Sequence, residues 1–250
     1  MPLESLSLQL YSVRDAMTTD IPGTLARVAE IGFTQVEASY TTLSSKPELL
    51  RSIRANNLTS PTMTSPLCDV DRDAVFATAR ELGAKTVIET FIPEPRWSTP
   101  HDVAHIADEL NAAAETAAGY GLCVAYHNHW WELEHRHGGT TALEYLAARL
   151  HPEVLLEIDA YWVAVGGENV IELIGRLSDR VHFLHLKDGP INRDNSQQLP
   201  AGRGSMPLRD IIDSTPNLRV GVIEFDDYAG DVFEAIAESL CFLTPLVSAR

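Results

Sequence analysis

The feature that most restricts the fold of this chain is a pattern that recurs from end to end. A short apolar or β-branched run is followed by a loop, an amphipathic Ala/Leu/Glu-rich stretch and the next apolar run. The runs are LSLQLYSV (6 to 13), FTQVEAS (33 to 39), TSPTMTS (59 to 65), TVIETFI (86 to 92), LCVAYHNH (122 to 129), VLLEIDAYW (154 to 162), VHFLHLKD (181 to 188) and VGVIEF (220 to 225). Between them, stretches such as PGTLARVAEIG, DAVFATARELG and HDVAHIADELNAAAETAAGYG have helical spacing. Gly32, Gly83 and Gly121 stand directly before a new run, where a helix that ends in a left-handed residue turns back.

Successive runs are spaced as a βαβ unit requires, and eight in a row predict a single α/β domain, a closed (β/α)₈ TIM barrel over residues 1–250. An open doubly wound sheet that binds a nucleotide would carry a Gly-rich turn after its first strand, and LQLYSVRDAM has none. The third run is the least strand-like, with Pro61 inside it and Pro66 beside it.

At 250 residues and 45% hydrophobic, the chain is long enough to bury the core such a barrel needs. A net charge of -16, with no cluster of Lys or Arg, argues against a nucleic-acid surface. The N-terminal MPLESLSLQLYSVRD lacks a long apolar run, so neither a secretory signal nor a membrane span is expected, and the default location is cytoplasmic. Cys68, Cys123 and Cys241 are odd in number and far apart, which fits reduced thiols.

In a barrel of this type the active site lies at the C-terminal ends of the strands. There this chain gathers polar residues: HNH (127 to 129), EIDAY (157 to 161), HLKD (185 to 188), EFDD (224 to 227) and Glu37. Charges at the ends of apolar strands are costly unless they meet one another, a metal or a ligand. Side chains alternate along a strand, so His127 and His129 share one face while Asn128 points the other way; Glu157, Asp159 and Tyr161 share another. The same rule puts His185 with Lys187, and Glu224 with Asp226. With those faces inward, His127, Asp159, His185 and Glu224 converge from four consecutive strands. This mixed N/O set suits Mn²⁺, Zn²⁺, Co²⁺ or Fe²⁺ better than Mg²⁺ or Ca²⁺. Two positions further along, His129, Tyr161, Lys187 and Asp226 are expected to face substrate, with Glu37, Trp162 and Arg203 as further contacts. His182, at odd spacing from His185, should face the helices, and Trp130 and Trp131 read as packing or a pocket wall.

LQLYSVRD, AEIGFTQVEAS, AYHNHWWELE, LLEIDAYWVAVGG, HFLHLKDG, GRGSMPL and VIEFDD occur in this order over nearly the whole chain. With them the sequence resembles the sugar phosphate isomerase/epimerase group of the xylose isomerase-like barrel superfamily. The resemblance implies a divalent metal held by a fifth-strand Glu, a sixth-strand Asp, a seventh-strand His and an eighth-strand Glu. Asp159, His185 and Glu224 fall on the last three positions. On the first, where many relatives read Glu-Asn-His, this chain reads His127-Asn128-His129. Either His127 is a ligand in place of Glu or the metal has three protein ligands and more water.

The resemblance further implies a homo-oligomer and proton transfer next to a carbonyl of a small-molecule sugar or keto-sugar, through an enediolate. Glu224 is then one base, and the opposite proton donor is His127, His129, Glu157, Lys187 or a metal-bound water. The missing fifth-strand Glu leaves open a lyase or dehydratase acting on a keto-sugar or keto-inositol, and a non-catalytic sugar-binding protein is the remaining alternative. Arg14, Arg96, Lys187 and Arg203 are the cations within reach of the site, and GRGSM (202 to 206) is a poor phosphate loop, so an uncharged substrate is expected.

Overall fold

The computed structural model describes residues 5–248, so both ends of the expected domain, residues 1–4 and 249–250, lie outside the described residues. Each of the eight runs contributes one strand: β1 (Ser5–Gln9), β2 (Gln35–Ser39), β3 (Thr62–Thr64), β4 (Thr86–Glu89), β5 (Cys123–His127), β6 (Leu155–Asp159), β7 (Val181–His185) and β8 (Val220–Ile223). They are all parallel, lie in chain order and close into a barrel where β8 pairs with β1, Ser7 opposite Val222 and Leu8 opposite Ile223. The fold is a (β/α)₈ TIM barrel. A two-residue antiparallel ladder, Arg136–His137 with Thr140–Thr141, lies outside it.

The outer layer contains α1 (Ile21–Ile31), α2 (Glu48–Ala55), α3 (Arg72–Leu82), α4 (Pro100–Ala118), α5 (Ala142–Ala147), α6 (Val170–Leu177), α7 (Leu208–Asp213) and α8 (Val232–Ser248). Their starts follow capping chemistry, with the side chains of Asp20, Asp71, Thr99, Thr141 and Asn169 accepting N–H groups of the first turn. Gly32 and Gly83 end α1 and α3 at φ of +114° and +90°. Gly121 differs slightly: α4 already stops at Ala118, and Gly121 supplies the left-handed turn beyond it. No described helix is long and apolar enough to cross a membrane.

The strands are shorter than the apolar runs: β2 and β3 lose residues mainly at their N-terminal ends, the other six mainly at their C-terminal ends. At the C-terminal ends the chain bends at once into short helices, Leu10–Val13 after β1, Tyr40–Ser45 after β2 and Ala160–Val165 after β6. The last polar side chain of each strand caps the helix that follows. Gln9 Oε1 accepts from Tyr11 N (3.3 Å), Ser39 Oγ from Thr42 N (3.2 Å) and Asp159 Oδ1 from Trp162 N (3.0 Å). β3 keeps only three residues, because Pro61 cannot donate to the ladder.

Inside the barrel, Ile88, Ala125, Leu155, Phe183, Val220 and Val222 form an apolar plug of their own. The inward side chains above it are polar and buried, Ser7, Gln9, Glu37, Thr62, His127, Glu157 and His185 among them. The barrel therefore changes from apolar to ionic over one step of the strand alternation.

The loop after β7 is organised by one buried carboxylate. Asp188 Oδ1 accepts the N–H groups of Gly189 (2.8 Å) and Met206 (3.0 Å), and its Oδ2 those of Gly202 (2.9 Å) and Gly204 (3.0 Å). A Cβ at Gly204 would lie 2.2 Å from Asp188 Oδ1, so only glycine lets the backbone approach. Asp188→Ala should lower stability by about 2–4 kcal/mol, because four N–H groups, two of them in buried hydrogen bonds, lose their acceptor. Denaturant unfolding measures the loss, and faster amide exchange at Gly202 and Gly204 than at the barrel strands locates it.

Candidate functional site

Two layers of ionisable groups lie above the apolar plug. In the lower one, His185 Nε2 is 3.2 Å from Glu37 Oε1 and 3.1 Å from Glu157 Oε2. Glu37 is also held by Gln9 Nε2 at 2.7 Å and by the Thr62 hydroxyl. Glu157 Oε2 meets His127 Nδ1 at 3.0 Å. In the upper layer, His185 Nδ1 is 2.7 Å from Glu224 Oε2. The Lys187 ammonium lies among three carboxylates: Asp159 Oδ2 (2.8 Å), Glu224 Oε2 (2.7 Å) and Asp226 Oδ2 (2.8 Å). The His127 and His185 rings are 4.5 Å apart, and His127 Nε2 is 3.8 Å from Asp159 Oδ2.

Burial and pairing divide these groups into charged and neutral ones. Burial pushes the His127 imidazole well below its ordinary value, helped by nearby His185, so it is neutral at pH 7. Burial acts the same way on His185, but Glu157 and Glu224 overcome it and hold this ring protonated well above the usual range. Lys187 likewise resists burial through Asp159, Asp226 and Glu224 and keeps its charge. Glu224, despite its burial, is held well below the carboxylate range by Lys187 and His185. Burial and the neighbouring Glu37 raise Glu157 to about 8, and burial also raises Asp159.

A cavity of about 790 Å³ opens on this network. Its floor contains Gln9, His127, His185, Glu224 and Asp226. The wall is aromatic: Trp162, with Lys187 Nζ 5.5 Å from its ring centroid, and His129 stacked on Trp131 at 4.2 Å and 8°. Trp130 carries the Arg193 guanidinium on its face at 3.5 Å.

Of the residues expected from sequence to form the site, His127, His129, Trp162, His185, Glu224 and Asp226 line the cavity. Lys187 and Asp159 are buried just behind that floor. Glu37 and Glu157, expected to touch substrate and to take part in catalysis, are fully buried in the lower layer and outside the cavity wall. Tyr161 is displaced altogether. Strand alternation ends at Asp159, the chain turns helical, and the Tyr161 hydroxyl bonds to Asn192 O at 3.2 Å. Arg203 is exposed and paired with Glu238, because Asp188 has turned the glycine loop's N–H groups inward. Sequence reasoning passed over Gln9, Thr62 and Glu132. Glu132 is buried and accepts from Tyr126 Oη (2.6 Å) and His129 N (2.9 Å), which fixes the backbone at His129. His182 faces outward to Asp179 O at 2.9 Å.

Residues 25–215 match the family model for the xylose isomerase-like TIM barrel. The chain belongs to this family. Solved structures with the same fold include a sugar phosphate isomerase/epimerase from Parabacteroides distasonis, with 20% identity, a TM-score of 0.82 and coverage of 99% of this chain and 96% of that one. The probable 3-DHS dehydratase AsbF of Bacillus anthracis follows at 13% identity and a TM-score of 0.75, covering 96% and 98%. The IolI protein, with a bound zinc atom, has 14% identity and a TM-score of 0.69, covering 98% of each chain. No curated protein matches the sequence.

As in a xylose isomerase-like barrel that carries a metal, the donor chemistry here fits a divalent cation. His127, Asp159 and His185 are buried with ligand atoms within 4.8 Å of one another, and Glu37, Glu157 and His185 form a second such group. Glu157 takes His127 Nδ1, which leaves Nε2 of a neutral imidazole for a metal; Asp159 uses Oδ1 as a cap and its Oδ2 lies 3.8 Å from His127 Nε2, where a metal would displace the Lys187 contact and the proton on His185. Glu224 falls in neither group, and its Oε2 meets His185 and Lys187.

Glu157 ties this site to stability. A carboxyl group raised from 4.5 to about 8 binds more protons in the folded than in the unfolded state between those values. Stability should therefore fall as pH rises from the ordinary carboxylate range through about 8. Glu157→Gln, which stays neutral, should flatten this slope, so that its melting temperature gains on wild type as pH rises from 5 to 8.5; parallel curves would contradict the assignment.

Proposed function

We propose that this chain is a divalent-metal-dependent enzyme that moves a proton next to a carbonyl in an uncharged sugar or keto-sugar, giving isomerisation or epimerisation through an enediolate. The observation that carries this reading is a pair of unlike groups in the cavity lining: an ionised Glu224 on the floor, held by His185 and Lys187, and the His129 imidazole on the wall. One can accept a proton as the other face of the substrate meets an imidazole.

Glu224 is the base. Lys187 and His185 hold it ionised at neutral pH, so it is in the accepting form before substrate arrives. Lys187 keeps positive charge next to the floor, which favours an oxyanion formed there. His129, stacked on Trp131 and lining the cavity, is the proton donor opposite. Trp162 and the Trp131/His129 stack offer flat faces for a sugar ring and keep water from the floor. His127, Asp159 and His185 would hold the metal, which when bound polarises the substrate's carbonyl oxygen. The cations of the cavity support an uncharged substrate, since Arg14 and Arg193 each lie on an aromatic face, and Arg193 also pairs with Glu134.

A second reading, elimination from a keto-sugar, is favoured by one specific observation. The carboxylates lining the cavity, Glu224 and Asp226, both follow β8, while the β5 side carries imidazoles. One base and one leaving-group acid suit a lyase as well as two matched bases suit an epimerase.

Incubation of the metal-loaded protein with ketoses and 3-keto sugars in D₂O separates the readings. Deuterium at the carbon next to the carbonyl without loss of water is the expected result, an unsaturated product marks elimination, and no exchange with any sugar overturns proton abstraction. Glu224→Gln should slow exchange about 10²- to 10⁴-fold. Metal analysis should find one transition metal ion that Asp159→Ala and His185→Ala lose; a metal-free wild type would overturn the metal assignment.

A further inference from the structure

The cavity is larger than one sugar needs. A hexose displaces about as much space as six waters, roughly 180 Å³ at ~30 Å³ per water, against about 790 Å³ here. The lining runs beyond the floor to Tyr11, Phe91, Trp130 and Arg193. From His127 the rings of His129 and then Phe91 climb toward the mouth, with centroid separations of 5.4 Å and 5.8 Å. A single pyranose resting on His127, His185 and Glu224 spans the first of these steps, not both.

Two aromatic side chains stand at the outer end, Phe91 at 61% and Tyr11 at 52% exposure, the most exposed large hydrophobic residues among those described. Neither is loose. Phe91 N donates to Glu89 Oε1 (3.0 Å), and the ring meets Trp131 edge-on at 5.9 Å. Tyr11 N donates to Gln9 Oε1 (3.3 Å), and the Arg14 guanidinium covers one face of its ring at 4.0 Å. Rings held in place by the strand ends and left open to the cavity mouth form a platform for a flat, apolar-faced group.

We propose that the substrate is a keto-glycoside, with its reacting ring, which carries the carbonyl, on the floor and a second uncharged ring, glycosyl or aryl, at the rim that Phe91 and Tyr11 line. The inference rests on the reading that a sugar occupies the floor. Glu89 and Gln9 then have matching tasks, each setting one rim aromatic from a strand end, and Gln9 joins the rim to the floor through Glu37.

The test is to titrate the purified, metal-loaded protein with methyl, phenyl and glucosyl 3-keto-β-D-glucosides and the corresponding 3-keto-xylosides, following tryptophan fluorescence. A two-ring ligand should bind about threefold to tenfold more tightly than the methyl glycoside. Phe91→Ala and Tyr11→Ala, both exposed and expected to melt as wild type does, should abolish that gain and leave methyl glycoside affinity unchanged. Whether phenyl or glucosyl produces the gain identifies the second ring. Equal affinity for methyl and two-ring ligands overturns the proposal and leaves the floor reading intact, as does a gain that survives both substitutions. Failure of every ligand, methyl glycosides included, overturns both.

Discussion

Two cations, His185 and Lys187, allow this barrel to bury Glu37, Glu157, Asp159 and Glu224 in one place, with the half-buried Asp226 beside them. A buried carboxylate without a partner is costly, and the loss is recovered only where charges are close and hydrogen-bonded. Both cations come from β7 or the residues just after it; each reaches carboxylates of the neighbouring strands β6 and β8 or the residues just after them, and His185 also reaches Glu37 of β2. The strand order therefore does more than close a core. It places β6 and β8 on either side of β7, so that one strand's positive charges serve the negative ones of both neighbours.

The same constraint explains how the site is layered. Below His185, two carboxyl groups share its Nε2, and crowding with burial raises Glu157. Above it, Glu224 has both His185 and Lys187 and stays ionised. Two glutamates only one layer apart thus have opposite protonation at neutral pH, and the difference is set by how many cations each can reach. Only the ionised one lines the cavity.

The barrel was legible in the sequence because each strand announces itself as an apolar run, and eight runs at βαβ spacing leave few topologies. The convergence of His127, Asp159 and His185 was legible for the same reason, since alternation holds as long as the chain remains a strand. It fails where the strand stops. Asp159 caps a helix, so Tyr161, two residues on, faces Asn192 instead of the cavity. Arg203 was misplaced because a loop's N–H groups look available in sequence, and nothing local reveals that Asp188 has taken them. Alternation also gives a face and not a height: Glu157 and Asp159 share a face, yet one is sealed beneath His127 and the other reaches Lys187. Gln9 and Thr62 escaped notice because a single polar residue in an apolar strand carries no charge to mark it.

The HNH stretch at the end of β5 is where these arguments meet. Its three side chains have three tasks. His127 faces the cavity with its Nδ1 held by Glu157; Asn128 turns away, its Oδ1 accepting from Asp159 N at 3.1 Å and so joining β5 to the end of β6; His129 stacks on Trp131. A glutamate in place of His127 would add a sixth carboxylate to a network that already exhausts two cations. An imidazole adds none, because burial keeps it neutral, and it still presents a nitrogen to the cavity. The carboxyl group has in effect moved one layer down, to Glu157, with the imidazole between it and the cavity. His127 thus meets the cavity as a neutral group, where a carboxylate would need a further cation, and Glu157 holds it from below.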